Sequence, residues 1–366
     1  MKAAVVRQAG ARPEILPVSL DRPADYEVLV QVRACGICRS DLTFAEYGIG
    51  ATFPAVFGHE IAGEVVEVGR EVTSVAAGDH VIATLIRSCL DCPACFAGHG
   101  YRCERRDLLS RPAQAPPKLR LMDGTPVTAA MGTAGFSEQA LIHENQLVRI
   151  PPSIPMTAAA ILGCSTLTGA GSVLNIAEVR SSASLAVFGI GGVGMNAINA
   201  AALTGISTIV AVDLREDSLR LARSLGATHT VSAAEEDVAA RVRDITDGGA
   251  QSVLEFVGSA GVISSALNST ARGGSLYLGG IPSPQEGLAL SILSDVVLPR
   301  RSIIPIYMGF SNPQRDLPNY VDLYLSGKLL LDQMITKSIS LDDLPSHLDS
   351  GDSFGPGRTV IVNEYR

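Results

Sequence analysis

The sequence predicts an α/β protein of two unlike lobes: a β-rich lobe first, then a doubly wound parallel sheet with helices on both faces. Three observations carry this. Residues 2–150 are mostly short apolar runs broken by Gly, Pro and Asp, and EVLVQV and GEVVEV alternate with the period of half-buried strands. After a Pro-rich joint, IPPSIP, short apolar runs ending in Gly, Asp or Ser alternate with segments of helical length, the pattern of βαβ units. A length of 366 residues, with 46% apolar and 18% charged residues, supports two or three well-packed domains.

Taken in order, EVLVQVRA, HEIAGEVVEVG and GDHVIATLI are strands of the first lobe. Between Cys103 and Gly132 the segment ERRDLLSRPAQAPPKLRLMDGTP is polar and rich in Pro and Arg, and it predicts a long surface excursion. FSEQALIHENQLVRI then returns to strand. Beyond the joint, SLAVFG, STIVAVD, ATHTVSA, SVLEFVG and SLYLGG give five strands and SIIPIYMG a sixth, with REDSLRLARSLG and AAEEDVAARVRDITDG as helices between them. The last stretch holds one helix, PNYVDLYLSGKL, and a β-like tail, GRTVIVNEY, placed to rejoin the first lobe. The expected division is 1–155, including a cysteine loop at 89–103, then 156–306, then 307–366.

Net charge of −8 argues against a nucleic-acid binder or a protein drawn to anionic membranes. The start, MKAAVVRQAGARPE, lacks the apolar core of a signal peptide. Ser181 to Val212 carries no charge, but Gly189, Gly191, Gly192, Gly194 and Gly205 divide it into strand, turn, helix and strand, not a membrane span. A cytoplasmic protein is expected, and its seven cysteines favour metal ligation over disulfides.

Cys89, Cys92, Cys95 and Cys103 form C-x2-C-x2-C-x7-C. Four thiolates so closely spaced can close a tetrahedral zinc site with no open position, hence a structural one. Four buried free cysteines are the bland alternative. A zinc ribbon for nucleic acid is another, prompted by Arg87, Arg102, Arg105 and Arg106 around the loop, but it sits badly with the acidic chain. In FGIGGVG, Gly189, Gly191 and Gly194 match G-x-G-x-x-G between a strand and a helix, which suits a dinucleotide pyrophosphate. Asp213 ends the next strand, placed to bind the ribose hydroxyls and repel a 2′-phosphate, so NAD is preferred over NADP. Arg215, two residues on, pulls the other way. Cys38, His59 and Cys164 lie too far apart for spacing alone to join them.

GICRSD, GHE, the four-cysteine loop, GCST and GIGGVG follow one another in the order of a known family. Over nearly its full length the chain resembles the zinc-dependent alcohol dehydrogenases of the medium-chain dehydrogenase/reductase (MDR) superfamily. That resemblance implies a GroES-like catalytic domain, completed by the C-terminal segment, around a Rossmann NAD-binding domain. It also implies two zinc ions per chain, with Cys38, His59 and Cys164 as ligands of the catalytic one and the four-cysteine loop holding the structural one. Asp41 then orients the ligand histidine, and Glu60 is the acid close behind the metal. Arg39 and Arg358 contact the coenzyme pyrophosphate, Gly192 and Val193 lie in the coenzyme turn, and Thr168 lies near the nicotinamide.

The implied reaction moves a hydride between an alcohol and NAD, giving an aldehyde or ketone, with Ser40 relaying the proton. Thr43 stands where many relatives carry a histidine, and Leu85 lines the substrate pocket where an aromatic residue is common. A homodimer through the coenzyme-binding domains, acting on a small-molecule alcohol or aldehyde, is expected. The alternatives are a thiol-dependent formaldehyde dehydrogenase or S-nitrosothiol reductase-like enzyme, and a non-catalytic zinc- and NADH-binding protein.

Overall fold

Alternation in the first lobe builds two sheets in the computed structural model, which describes residues 1–350 and 355–363. Along Glu27–Gly36, Val28, Val30, Val32 and Ala34 are fully buried while Leu29, Gln31 and Arg33 between them are not. This long strand is the spine of a seven-stranded sheet. One edge pairs antiparallel with Glu60–Val68; the other is shared by Gln139–His143 and Arg358–Val362. The C-terminal tail therefore returns to the first lobe's sheet, and its last residues, 364–366, lie outside the described residues. Five short strands close a separate small barrel: Lys2–Val6, Glu14–Leu20, Ala55–Val56, Leu119–Leu121 and Pro126–Ala129.

Two of those barrel strands correct the expected surface excursion. Leu119–Leu121 and Pro126–Ala129 come from that polar segment, which also sends Arg111 inward onto Glu27 at 2.6 Å and Asp21 at 2.6 Å. Strands of three and four residues are too short to show a period, and an arginine that buries its stem under paired carboxylates reads as surface in composition.

The sheet of the second lobe is parallel throughout. Its six strands are Ser184–Phe188, Thr208–Asp213, His229–Ser232, Ala250–Glu255, Thr270–Leu278 and Ser302–Pro305, in spatial order 3-2-1-4-5-6. That order reverses direction at the first strand and opens a crevice at the strand ends, where such sheets bind nucleotides. The acidic run before the third helix of this lobe is a turn. The helix itself is Val238–Ile245, started by Asp237, whose side chain accepts from the Ala240 N–H at 2.8 Å.

Between the lobes runs the helical stretch Met156–Leu174. Its length and apolarity would suit a membrane span, but 89% of it is buried in this protein. One end packs on Glu27–Gly36 and Glu60–Val68, the other on the helix Gly192–Ala202. Its middle turn, Leu162–Thr166, widens to π geometry and carries Cys164. Such turns concentrate where a side chain must be re-aimed.

Candidate active site and metal centres

Three elements deliver the buried cluster. Cys38 precedes the helix Arg39–Tyr47, His59 precedes the strand Glu60–Val68, and Cys164 comes from the π turn. Ligand atoms of Cys38, His59, Glu60 and Cys164 all lie within 4.8 Å of one another. Asp41, fully buried, accepts from His59 Nδ1 at 2.8 Å, from the Gly58 N–H at 2.9 Å and from the Cys38 N–H at 3.3 Å. The Nδ1 bond leaves Nε2 of His59 facing the thiols, 3.2 Å from Cys164 Sγ. Ser40 Oγ donates to Cys38 Sγ at 3.0 Å and lies 3.5 Å from His59 Nε2.

The electrostatics match a cation site. A hydrogen bond from Cys164 holds the Cys38 thiol well below its usual range against burial, helped by Arg358 and His59, while the same bond and burial push Cys164 up. Burial opposes protonation of His59, but the charge and hydrogen bond of Asp41 raise it nonetheless. Burial lifts Glu60 to about 7 even with Arg358 beside it. Two thiols sharing a proton next to an oriented imidazole form a donor set that a zinc ion fits, because the metal takes the place of that proton.

Glu60 donates nothing to the open side. Its Oε1 accepts from Arg358 Nη2 at 2.7 Å and its Oε2 has no hydrogen-bond partner among the described residues. A Cβ at Gly36 would meet that Oε2 at 2.1 Å, so only glycine leaves the carboxylate its space. Arg358 also donates to the Ile37 carbonyl at 3.1 Å, and its guanidinium lies under Gly192, where a Cβ would come within 2.8 Å of it. The metal cluster and the Gly-rich turn thus meet at one arginine.

The turn itself has the geometry a pyrophosphate needs. Gly189 has φ +87°, and a Cβ at Gly194 would sit 2.1 Å from the Gly189 carbonyl. At Gly191, by contrast, nothing lies within 4 Å of a Cβ, so the face above the helix start is open to a ligand. Asp213 binds the Ile190 N–H at 2.7 Å and the Arg215 N–H at 2.9 Å. Arg215 turns its guanidinium to Asp217 at 2.9 Å.

A cleft of about 380 Å³ joins these parts. Its lining includes Cys38, Ser40 and Cys164 of the buried cluster, Thr168, Val193 of the Gly-rich turn, Leu85 and Arg39. Thr168 donates to Met308 Sδ at 3.5 Å. Thr43 opens instead on a neighbouring hollow of about 410 Å³, with Arg39, Asp41 and Glu46. Sequence reasoning missed Phe256, Val257, Tyr307 and Met308, which line the cleft just past the ends of the fourth and sixth parallel strands. Their position at the carboxyl ends of parallel strands is the signal that could have found them.

Cys89, Cys92, Cys95 and Cys103 form the second cluster, with Sγ atoms again within 4.8 Å. Cys92 to Cys95 is 3.5 Å and Cys89 to Cys95 is 4.0 Å. Tetrahedral zinc with bonds of about 2.3 Å needs sulfurs about 3.8 Å apart, so the loop fits that ion.

A glycine turn for a dinucleotide, facing a buried Cys2His cluster across one cleft, defines a metal-containing dehydrogenase. Residues 24–152 match the alcohol dehydrogenase GroES-like domain, and residues 192–326 match the zinc-binding dehydrogenase domain. The S-(hydroxymethyl)glutathione dehydrogenase of Paracoccus denitrificans is 33% identical over 377 residues, covering 99% of each chain. A zinc-binding alcohol dehydrogenase domain protein from Burkholderia ambifaria has TM-score 0.91 at 34% identity, covering 100% of this chain and 99% of that one. The benzyl alcohol dehydrogenase of Acinetobacter calcoaceticus has TM-score 0.90 at 29% identity over 99% of each chain. The chain belongs to the zinc-containing alcohol dehydrogenases of the medium-chain dehydrogenase/reductase superfamily, and it is an oxidoreductase acting on alcohols.

Proposed function

We propose that the protein is an NAD-dependent zinc alcohol dehydrogenase with one catalytic and one structural zinc per chain. The observation that carries this is the convergence of Cys38, His59 and Cys164 beneath the cleft that the Gly-rich turn overlooks. These three residues would hold the catalytic ion, and the four-cysteine loop the structural one. A zinc ion there supplies Lewis acidity toward a hydroxyl oxygen, lowering the cost of its deprotonation. NAD held at the Gly-rich turn would accept a hydride from the carbinol carbon while the hydroxyl gave up its proton, so that alcohol and NAD would yield aldehyde or ketone, NADH and H⁺.

Each residue then has a task. Asp41 fixes the His59 tautomer, and Ser40 Oγ, in the cleft lining, takes the hydroxyl proton. Thr43, one helical turn on, stands where many relatives carry a histidine and lines the neighbouring hollow. Glu60 sets the Arg358 guanidinium beneath Gly192, where it and Arg39 balance the pyrophosphate charge. Gly189, Gly191, Gly192, Val193 and Gly194 cradle that group, and Thr168 borders the nicotinamide. Asp213 favours NAD by repelling a 2′-phosphate; pairing with Asp217 keeps Arg215 from offsetting it.

A homodimer in the cytoplasm completes the reading. Ile292, Leu293, Val297 and Leu298 are more than half exposed beside Ser302–Pro305, the edge strand of the parallel sheet, and such an apolar edge asks for a partner. None of the seven cysteines is paired in a disulfide, which suits a reducing compartment.

The test is NADH formation with primary, secondary and aromatic alcohols, run with NAD and with NADP, beside a metal count. Turnover of free alcohols with NAD and two zinc ions per chain is the expected result. Turnover only of formaldehyde with an added low-molecular-weight thiol would move the protein to the thiol-dependent branch. One zinc and no turnover would make it a binding protein.

A further inference from the structure

Glu255 is a fully buried acid with no part in the chemistry above, and it ends the fourth strand of the parallel sheet. Its Oε1 accepts from the Val257 N–H at 2.6 Å and from the Gly258 N–H at 2.8 Å. Its main-chain carbonyl accepts from the Gly279 N–H at 2.8 Å and the Gly280 N–H at 2.9 Å, just past the fifth strand. One residue thus ties together the turns that leave two neighbouring strands. Those turns press on each other: a Cβ at Gly258 would come within 2.7 Å of the Ile281 carbonyl carbon. They also press on the Gly-rich turn, since the Phe256 N–H donates to the Phe188 carbonyl at 2.9 Å and a Cβ at Gly189 would meet Val257 Cγ2 at 2.7 Å. Phe256, Val257, Gly280 and Ile281 line the same cleft as Cys38 and Cys164.

An acid is a costly choice for this place. Its Oε2 is buried with no hydrogen-bond partner among the described residues. Burial pushes the carboxyl above its ordinary range, and only the N–H groups of Gly258 and Val257 pull it back. An apolar side chain would fill the space without leaving a polar atom unpaired, so the acid is kept for what Oε1 does. We propose that Glu255 is a positioning residue for the hydride transfer: its Oε1 fixes the turn 256–258 against the turn 279–281, and so sets one wall of the space left to the nicotinamide. The proposal rests on the reading of the cleft as an NAD site. The turn needs the reach of that oxygen and not its charge, so an amide of the same length serves equally.

The test compares Glu255→Gln, Glu255→Asp and Glu255→Leu by calorimetric titration with NADH and with ADP-ribose, which lacks the nicotinamide. Alcohol turnover, zinc content and melting temperature are read on the same samples. Glu255→Gln keeps an acceptor at the same reach and should match wild type in NADH affinity and kcat/KM. Glu255→Asp keeps the acid but is one methylene short, and Glu255→Leu has no acceptor. Both should bind NADH about tenfold more weakly, the scale of losing the bonds to two buried N–H groups, while ADP-ribose affinity and zinc content stay at wild-type values. Should Glu255→Leu fail to fold, Glu255→Asp and Glu255→Gln decide the matter between them. Variants that melt lower but bind NADH as wild type does would overturn the proposal and leave a bond serving stability alone. Equal loss of both ligands would overturn the assignment to the nicotinamide, and a weak Glu255→Gln beside an unchanged Glu255→Asp would overturn it in favour of the charge. Wild type that binds no NADH and oxidises no alcohol would overturn the NAD reading of the cleft, and this proposal with it.

Discussion

The two cysteine clusters use the same chemistry and are built in opposite ways. Cys89, Cys92, Cys95 and Cys103 sit on one loop, whose backbone assists them: the Cys89 N–H donates to Cys103 Sγ at 3.2 Å and the Asp91 N–H to Cys89 Sγ at 3.4 Å. Four sulfurs fill a tetrahedron, so an ion there can only brace the loop. Cys38, His59 and Cys164 come from three separate elements, are buried, and offer three donors beneath a cleft. On the proposed reading these three would hold the ion and leave its fourth side to a ligand, with Glu60, the other donor within reach, paired to Arg358. Local ligands make a staple; ligands gathered from across the fold make a reactive site, because only the folded lobes bring them together.

The comparison breaks if the two clusters respond alike to losing one thiol. Cys38→Ala should reduce NADH formation to background, remove one of two zinc ions, and leave the melting temperature within a few degrees of wild type, since the sheets that carry the cluster remain. Cys95→Ala should do the reverse: it loses the other zinc and destabilises the fold by roughly 3 kcal/mol or more, the scale of a lost structural metal. Melting curves and metal analysis on the same samples separate the two. A Cys95→Ala protein that melts like wild type would end the distinction.

Asp41→Asn sharpens it at a smaller scale. The carboxylate orients only the buried cluster, through His59 Nδ1 and the backbone of Cys38 and Gly58. Activity or zinc affinity there should drop about ten- to a hundredfold, the usual effect of a lost supporting hydrogen bond, with the four-cysteine ion retained. Sequential zinc release to a chelator, followed against activity, would read this directly.

The same contrast explains what was legible in the sequence. The four-cysteine loop and the Gly-rich turn are local, so spacing alone found them, and the strand–helix alternation placed Asp213. His59 and Cys164 are 105 residues apart; no spacing rule reaches that far, and only the ordered family motifs linked them. Phe256, Val257, Tyr307 and Met308 remained hidden because they reach the cleft only in the folded chain, and nothing local distinguishes them from other surface or core residues. The barrel strands Leu119–Leu121 and Pro126–Ala129 were hidden by brevity alone.

A third polar assembly in the first lobe provides the reference for both clusters, because it contains no metal ligand. Glu27, at the start of the long spine strand, accepts from Arg111 and pairs with Lys118 at 3.3 Å. Burial pushes its carboxyl up, but Arg111, Lys118 and the Ala24 N–H together bring it below the ordinary carboxylate range. A folded-state pKa below the unfolded one means stability present above about pH 4.3 and lost as pH falls through the folded value. Glu27→Gln should therefore cost about 2 kcal/mol near neutrality, the scale of charged hydrogen bonds, with the gap to wild type closing in acid. Urea unfolding at neutral and acidic pH gives both numbers. Zinc content and turnover should stay at wild-type values, since the variant weakens the sheet from a point that touches neither cluster; loss of either metal would mean that the clusters depend on the sheet more than on their own ligands.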